Sequence, residues 1–304
     1  MKKLRFVVSL ITNENDYQRQ QAASAQQAAG RLGIDLDILF AGNDAIQQSQ
    51  QLLDVVQSHR NEVDGILVEP AGRTAFPKIA QAAVASGIAW VVMNCDAEYL
   101  REVRTGSKVP VFAVSADNHE VGRIQGRQLA ALLPKGGSVL YIQGPSQSTV
   151  TEQRSAGMME TKPLNINVRI LKSVNWTEEG GSHAAASWLR LSTAQKERFD
   201  VVQAQNDSLA VGARRSMQDQ REGLQGNHNT PFLGVDGLPQ TGQAWVRQGI
   251  LAATVAVPAV TPHCLDALVS ALTERTHPPE RTLIAPASFP EIERLVAKTR
   301  ASIR

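Results

Sequence analysis

Nine short stretches of this chain put amides, carboxylates and aromatic rings where runs of apolar residues end. They are Asn13–Gln18, Glu69-Pro70, Asn94-Cys95-Asp96, Ser115–Asn118, Gly144–Ser148, Asn175-Trp176, Gln205-Asn206-Asp207, Asp236-Gly237 and Val257-Pro258. Planar amides and carboxylates can pair with neighbouring hydroxyls, and a flat ring can cover an apolar C–H face. That chemistry suits a small polyhydroxylated molecule such as a sugar, held without being transformed. Within the set, Trp176 lies in a polar loop, where an aromatic ring more often meets a ligand than a core. Asn206 and Asp207 precede a helix, so one of the pair serves as its cap; we expect Asp207 or Ser208 to cap and Asn206 to face a ligand.

Other chemistries lack their residues. No Gly-x-Gly-x-x-Gly follows the first strand, no Walker-type lysine loop occurs, and no Gly-x-Ser-x-Gly elbow is present. The six histidines (His59, His119, His183, His228, His263, His277) have no partner at metal-ligand spacing. Cys95 and Cys264 are too few for a disulfide framework and read as small buried hydrophobes. No metal, no cofactor and no enzymatic activity is therefore expected. The formal net charge is +2, from 31 basic and 29 acidic residues, which provides no broad basic field for nucleic acid or anionic lipid.

The strand exits need a scaffold, and the hydrophobic pattern supplies one. Apolar runs at Leu4–Ile11, Ile34–Phe40, Gly65–Val68, Ile88–Met93 and Val111–Val114 alternate with amphipathic stretches at Asp16–Leu32, Asn43–His59 and Thr74–Ser86. The alternation then restarts. Helical stretches at Asn118–Leu133, Thr149–Glu160, Glu179–Leu191, Ser208–Gln220, Gln240–Gln248 and Pro262–Glu274 separate strands at Ser138–Ile142, Val168–Lys172, Val201–Ala204, Phe232–Val235 and Leu251–Ala256. A strand at Arg281–Ile284 and a helix at Pro290–Ile303 close the chain, while Tyr99–Lys108 and Glu222–Asn229 read as loops, the second a mobile insertion. Two successive βα series predict an α/β protein of two similar doubly wound parallel-sheet lobes, with ligands beyond the carboxyl ends of the strands. The expected lobes are residues 1–117 with 258–285, and 118–257 with 286–304, joined by several crossings. Met1-Lys2-Lys3 looks like the start of a secretory signal, but the apolar run Phe6–Ile11 is short for one and polar Thr12–Asp16 follows. The stretch reads as a strand and its exit.

Taken in order, these segments resemble the type I periplasmic binding proteins, in their ribose-binding branch. The resemblance is carried by Val7-Val8-Ser9 with Asn15 and Tyr17, by Asp64–Pro70, and by Ala116-Asp117-Asn118 with Gly122 and Gly126. It continues through Gln143-Gly144 with Arg154 and Gly157, Ala204–Asp207 with Ala210 and Gly212-Ala213, Gly234–Gly237, and Leu251–Val255. It implies a hinged two-lobed fold that closes on a sugar and presents the closed form to an ABC permease or chemoreceptor. Residue by residue it implies ligand contacts from Asn15, Tyr17, Gln18, Glu69 and Asn94 in the first lobe. In the second lobe it implies contacts from Arg154, Trp176, Asn206 and Asp236. Gln18 stands where the ribose binders have a second aromatic, and three departures stand out: Glu69 replaces an amide, Asn94-Cys95 replaces an Asp-Arg pair, and Val257 replaces a glutamine. They point to a neutral polyol, a larger neutral sugar or an amino-substituted one, and away from sugar phosphates and acids. A periplasmic monomer whose signal is absent from this chain is expected; a cytoplasmic sugar sensor related to the effector domains of lac-repressor-type regulators is the alternative.

Overall fold

The computed structural model describes residues 3–58, 62–72, 76–95, 97–191, 197–221 and 230–303. His59, Asp96 and the Glu222–Asn229 insertion lie outside the described residues. In chain order the first elements are β1 (Arg5–Leu10), α1 (Asp16–Leu32), β2 (Asp35–Phe40), α2 (Ala45–Ser58), β3 (Gly65–Val68), α3 (Phe76–Ala85), β4 (Ala89–Met93), α4 (Leu100–Arg104) and β5 (Val111–Ala116). There follow α5 (Asn118–Leu132), β6 (Gly137–Gln143), α6 (Thr149–Thr161), β7 (Ile166–Lys172), α7 (Glu178–Leu189), β8 (Val201–Ala204), α8 (Asp207–Arg221) and β9 (Phe232–Leu233). The last are α9 (Gly242–Arg247), β10 (Thr254–Ala256), α10 (Thr261–Thr273), β11 (Arg281–Ile284), β12 (Ala287–Phe289) and α11 (Ile292–Ile303). The chain forms two compact units, Met1–Ala116 with Ala259–Ile284 and Asp117–Pro258 with Ala285–Arg304.

The first unit is built on a parallel sheet in the order β11-β5-β4-β3-β1-β2. Strands β3, β4 and β5 are buried along their whole length, which only a sheet covered on both faces requires. Alternation along each strand sorts the core into two layers. Phe6, Val8, Leu10, Leu67, Val91 and Phe112 pack against the small residues Ala25, Ala28 and Ala29 of α1 and against Leu265 and Leu268 of α10. Val7, Ile66, Val68, Trp90 and Val92 face Leu52 and Val56 of α2 and Phe76, Ile79 and Ala83 of α3. One expectation is corrected here. The stretch Tyr99–Lys108, read as loop, contains the short helix α4, because Leu100 and Val103 turn inward onto the second layer.

The second unit has a four-stranded parallel sheet, β7-β6-β8-β9, and a two-stranded antiparallel ladder of β10 and β12. Parallel bridges from Leu233 to Ala253 and from Asp236 to Ala256 continue the first sheet onto β10. The expected strand Leu251–Ala256 is thus shorter, and β12 is a strand at residues to which the sequence pattern assigned no element. Helices α5 and α6 lie unusually close. A Cβ on Gly122 would overlap the Arg154 carbonyl, and one on Gly157 the His119 carbonyl. These glycines are therefore packing residues that let α6 press its backbone onto α5.

Candidate functional site

In the first unit the strand exits are tied together by amides. Asn15 is the N-cap of α1, its Oδ1 accepting from the Gln18 backbone N–H at 2.9 Å. Gln18 folds back so that its Oε1 accepts from the Ile11 N–H at 3.1 Å, closing the loop between β1 and α1. Tyr17, buried one position before Gln18 on α1, accepts at its hydroxyl from Asn94 Nδ2 at 3.2 Å. Asn94 ends β4 with φ of 51°, a left-handed conformation that asparagine tolerates better than most residues, and its Oδ1 accepts from the Ala116 N–H at 3.3 Å. Asn94 thus joins α1, β4 and the end of β5. Glu69 ends β3 and is buried; its N–H donates to Ser9 O at 2.9 Å and its carbonyl accepts from Gln48 Nε2 at 2.9 Å. Burial pushes the Cys264 thiol up, and the Glu69 charge adds to that shift.

In the second unit a cation, a carboxylate and an indole ring meet. Arg154 on α6 has a side chain only 7% exposed; its guanidinium lies 5.8 Å from the centre of the Trp176 ring, and Nη1 lies 4.0 Å from Asp236 Oδ1. Its Nε donates to Asn118 Oδ1 at 3.0 Å, and Nη1 also donates to the Gln205 carbonyl. Two of its five N–H groups are thereby fixed by the protein, which sets the direction of the rest of the fork. Asp236 has φ of 104°, with its N–H and C=O both bonded to β10 and the residue beyond it, through Val255 O and Val257 N. This strained backbone aims a carboxylate that is 10% exposed. The Trp176 ring stacks so tightly on Gly144 that a Cβ there would overlap it.

The helix-cap expectation at α8 is corrected. Asn206, not Asp207 or Ser208, is the cap: its Oδ1 accepts from Leu209 N at 2.7 Å, while its Nδ2 donates to the Trp176 carbonyl at 2.9 Å. Asp207 instead accepts from Gly237 N at 2.8 Å and Thr254 Oγ1 at 2.7 Å, so it holds the turn that carries Asp236. Sequence reasoning gave no role to Gln48 or to the Gln205 side chain. Both are fully buried amides that bond strand ends to helices. A buried glutamine on a helix or strand carries no pattern that separates it from a surface one, and only the position of Gln205 beside Asn206 drew notice. Within their units, the structure brings together Asn15 with Gln18, Tyr17 with Asn94, and Arg154 with Trp176, Asp236 and Asn118. Among the described residues no group of three or more His, Cys, Asp or Glu side chains is placed to hold a metal ion, and no helix is long and apolar enough to cross a membrane.

Comparison with known proteins follows the same lines. A family model described as a periplasmic binding protein domain matches residues 6–261. The D-ribose/D-allose-binding protein of Pseudomonas aeruginosa is 28% identical over 212 residues, 69% of this chain and 64% of that protein, so this chain spans slightly under two thirds of that relative's length. The ribose import binding protein of Escherichia coli is 24% identical over 257 residues, 84% of this chain and 80% of the relative. Among solved structures, a galactofuranose binding protein superposes with a TM-score of 0.82 at 20% identity, covering 98% of this chain and 99% of that one. A solute-binding protein from Actinobacillus succinogenes with bound D-allose superposes with a TM-score of 0.79 at 24% identity, covering 96% and 99%. These structures share the α/β fold with parallel sheets described above.

Proposed function

The chain belongs to the periplasmic binding protein domain family, and we propose that it binds a sugar or polyol as the solute-binding component of an ABC importer. The observation that carries this reading is the grouping of Arg154, Asp236 and Trp176 in the second unit. A guanidinium fork and a carboxylate can hold adjacent hydroxyls while an indole face covers the C–H side of a sugar ring. The relatives named for ribose and allose support the same class. The first unit contributes Asn15, Tyr17, Gln18, Glu69 and Asn94; the second contributes Arg154, Trp176, Asn206 and Asp236. In the second set the one cation stands beside a carboxylate, which offsets its attraction for an anion. The ligand is accordingly a neutral or amino-substituted sugar or polyol rather than a phosphate or an acid.

The partners proposed are a membrane permease or chemoreceptor, with the chain acting as a periplasmic monomer. Titration calorimetry tests the shared use of both units. Glu69→Ala in one and Asp236→Ala in the other should each weaken binding of the same sugar by at least about tenfold. If one of the two bound as wild type, the unit carrying it would not contribute to the site. Light scattering that showed a tight dimer would count against the monomeric carrier.

A further inference from the structure

We propose that Gln205 is the positioning residue of the second unit: it sets both the Arg154 guanidinium and the Trp176 ring without being able to reach a ligand. The inference deepens the reading above, since it rests on those two groups as binding residues. Gln205 is completely buried. Its Oε1 accepts from the Gly144 N–H at 2.9 Å. Its Nε2 faces three acceptors, the Tyr141 hydroxyl at 3.0 Å, the Thr151 carbonyl at 3.0 Å and Ser155 Oγ at 2.9 Å. Its own carbonyl takes the Arg154 Nη1–H.

Each of these bonds ends on something that places a binding group. Gly144 is the floor under the Trp176 ring, so fixing its N–H fixes the surface against which the indole lies. Thr151 and Ser155 flank Arg154 on α6, three residues before it and one after, so the amide pins the turn from which the guanidinium extends. The next residue, Asn206, holds the other end of Trp176 by its carbonyl. One side chain therefore couples β6, α6 and β8 at the point where cation and ring meet. A fully satisfied buried amide of this kind rigidifies its surroundings, and a group locked in its bound geometry loses less freedom when ligand arrives.

The test compares Gln205→Met, nearly isosteric but without the amide, with Gln203→Met. Gln203 is an equally buried glutamine two residues earlier on β8, whose Nε2 donates to the Gln125 carbonyl instead. Two readouts are used. Fluorine NMR of fluorotryptophan-labelled protein follows the Trp176 signal, assigned by Trp176→Phe among the four tryptophans, and needs no ligand. Calorimetry with D-allose and D-ribose measures affinity. Gln205→Met should move or broaden the Trp176 signal and weaken sugar binding by at least about tenfold, while Gln203→Met leaves the signal in place and affinity within about threefold. Should Gln205→Met not accumulate as folded protein, Ser155→Ala carries the test, with the same changes in smaller measure. An unmoved Trp176 signal and unchanged affinity in the Gln205 variant, or equal effects in both glutamine variants, would overturn the proposal. If wild type bound neither sugar, the ligand would be another sugar or polyol or the functional reading would be at fault, and the fluorine signal alone would still decide the role of Gln205.

Discussion

Replacing Arg154 by methionine tests whether the cation organises the second unit even without ligand. The substitution keeps the length of the stem and removes the charge. It strips the donors from Asn118 Oδ1 and from the Gln205 carbonyl, and takes the guanidinium away from a carboxylate that is 10% exposed. Breaking one side of a buried charge pair typically costs about 3–5 kcal/mol. The 4.0 Å separation from Asp236 places this case near the lower end, so about 3 kcal/mol is expected. For a protein of this size that corresponds to a fall in melting temperature of about 5 °C. Neutralising the carboxylate as well should recover part of the loss: Arg154→Met with Asp236→Asn is expected to be more stable than Arg154→Met by about 1–2 kcal/mol. The assay is thermal and urea unfolding of the four proteins of the cycle in the absence of sugar. A loss below about 1 kcal/mol for Arg154→Met, or a double variant no more stable than the single one, would refute the pairing argument.

Three further outcomes follow from the geometry. Trp176→Ala should abolish sugar-induced thermal stabilisation while the protein remains folded, because its ring is only partly packed into the core behind it; normal stabilisation would remove Trp176 from the site. Gly157→Ala should destabilise by about 2–3 kcal/mol, since the added methyl meets the His119 carbonyl and α5 and α6 must part; an unchanged melting temperature would show that the helices have slack. In native protein at mildly alkaline pH a thiol reagent should label Cys95, which is half-buried, and spare Cys264, which is fully buried and whose thiol is pushed up by that burial. Both should react in denaturant, and rapid native labelling of Cys264 would mean that α10 opens readily.

Much of the fold was legible because a parallel sheet covered on both faces leaves continuous apolar runs. Gly65–Val68 and Ala89–Met93 are buried at every position and read directly as strands. The elements that escaped are those whose order comes from packing. Helix α4 has five residues, too few to show a period, and exists because Leu100 and Val103 find the core. Strand β12 has three residues and gains its register only from β10. The site shows the same division. Residue types at strand exits pointed to Trp176 and Asp236, and the family resemblance to Arg154, whereas the exchange of roles between Asn206 and Asp207 depends on where Gly237 and Thr254 lie in space. Asn and Asp are equally good caps, so nothing local distinguishes them. The glycines at 122 and 157, read as marks of resemblance, do their work as helix contacts.

The central claim, that the chain binds a sugar or polyol, is tested most directly by following thermal unfolding of the purified protein in the presence of monosaccharides, polyols, amino sugars and amino acids. A ligand present at about 100 times its dissociation constant adds about 2.7 kcal/mol to the folded state. The account predicts a clear rise in melting temperature with at least one neutral or amino-substituted sugar or polyol, and none with sugar phosphates. Silence across all sugars and polyols, with a response to amino acids or to nothing, would contradict it.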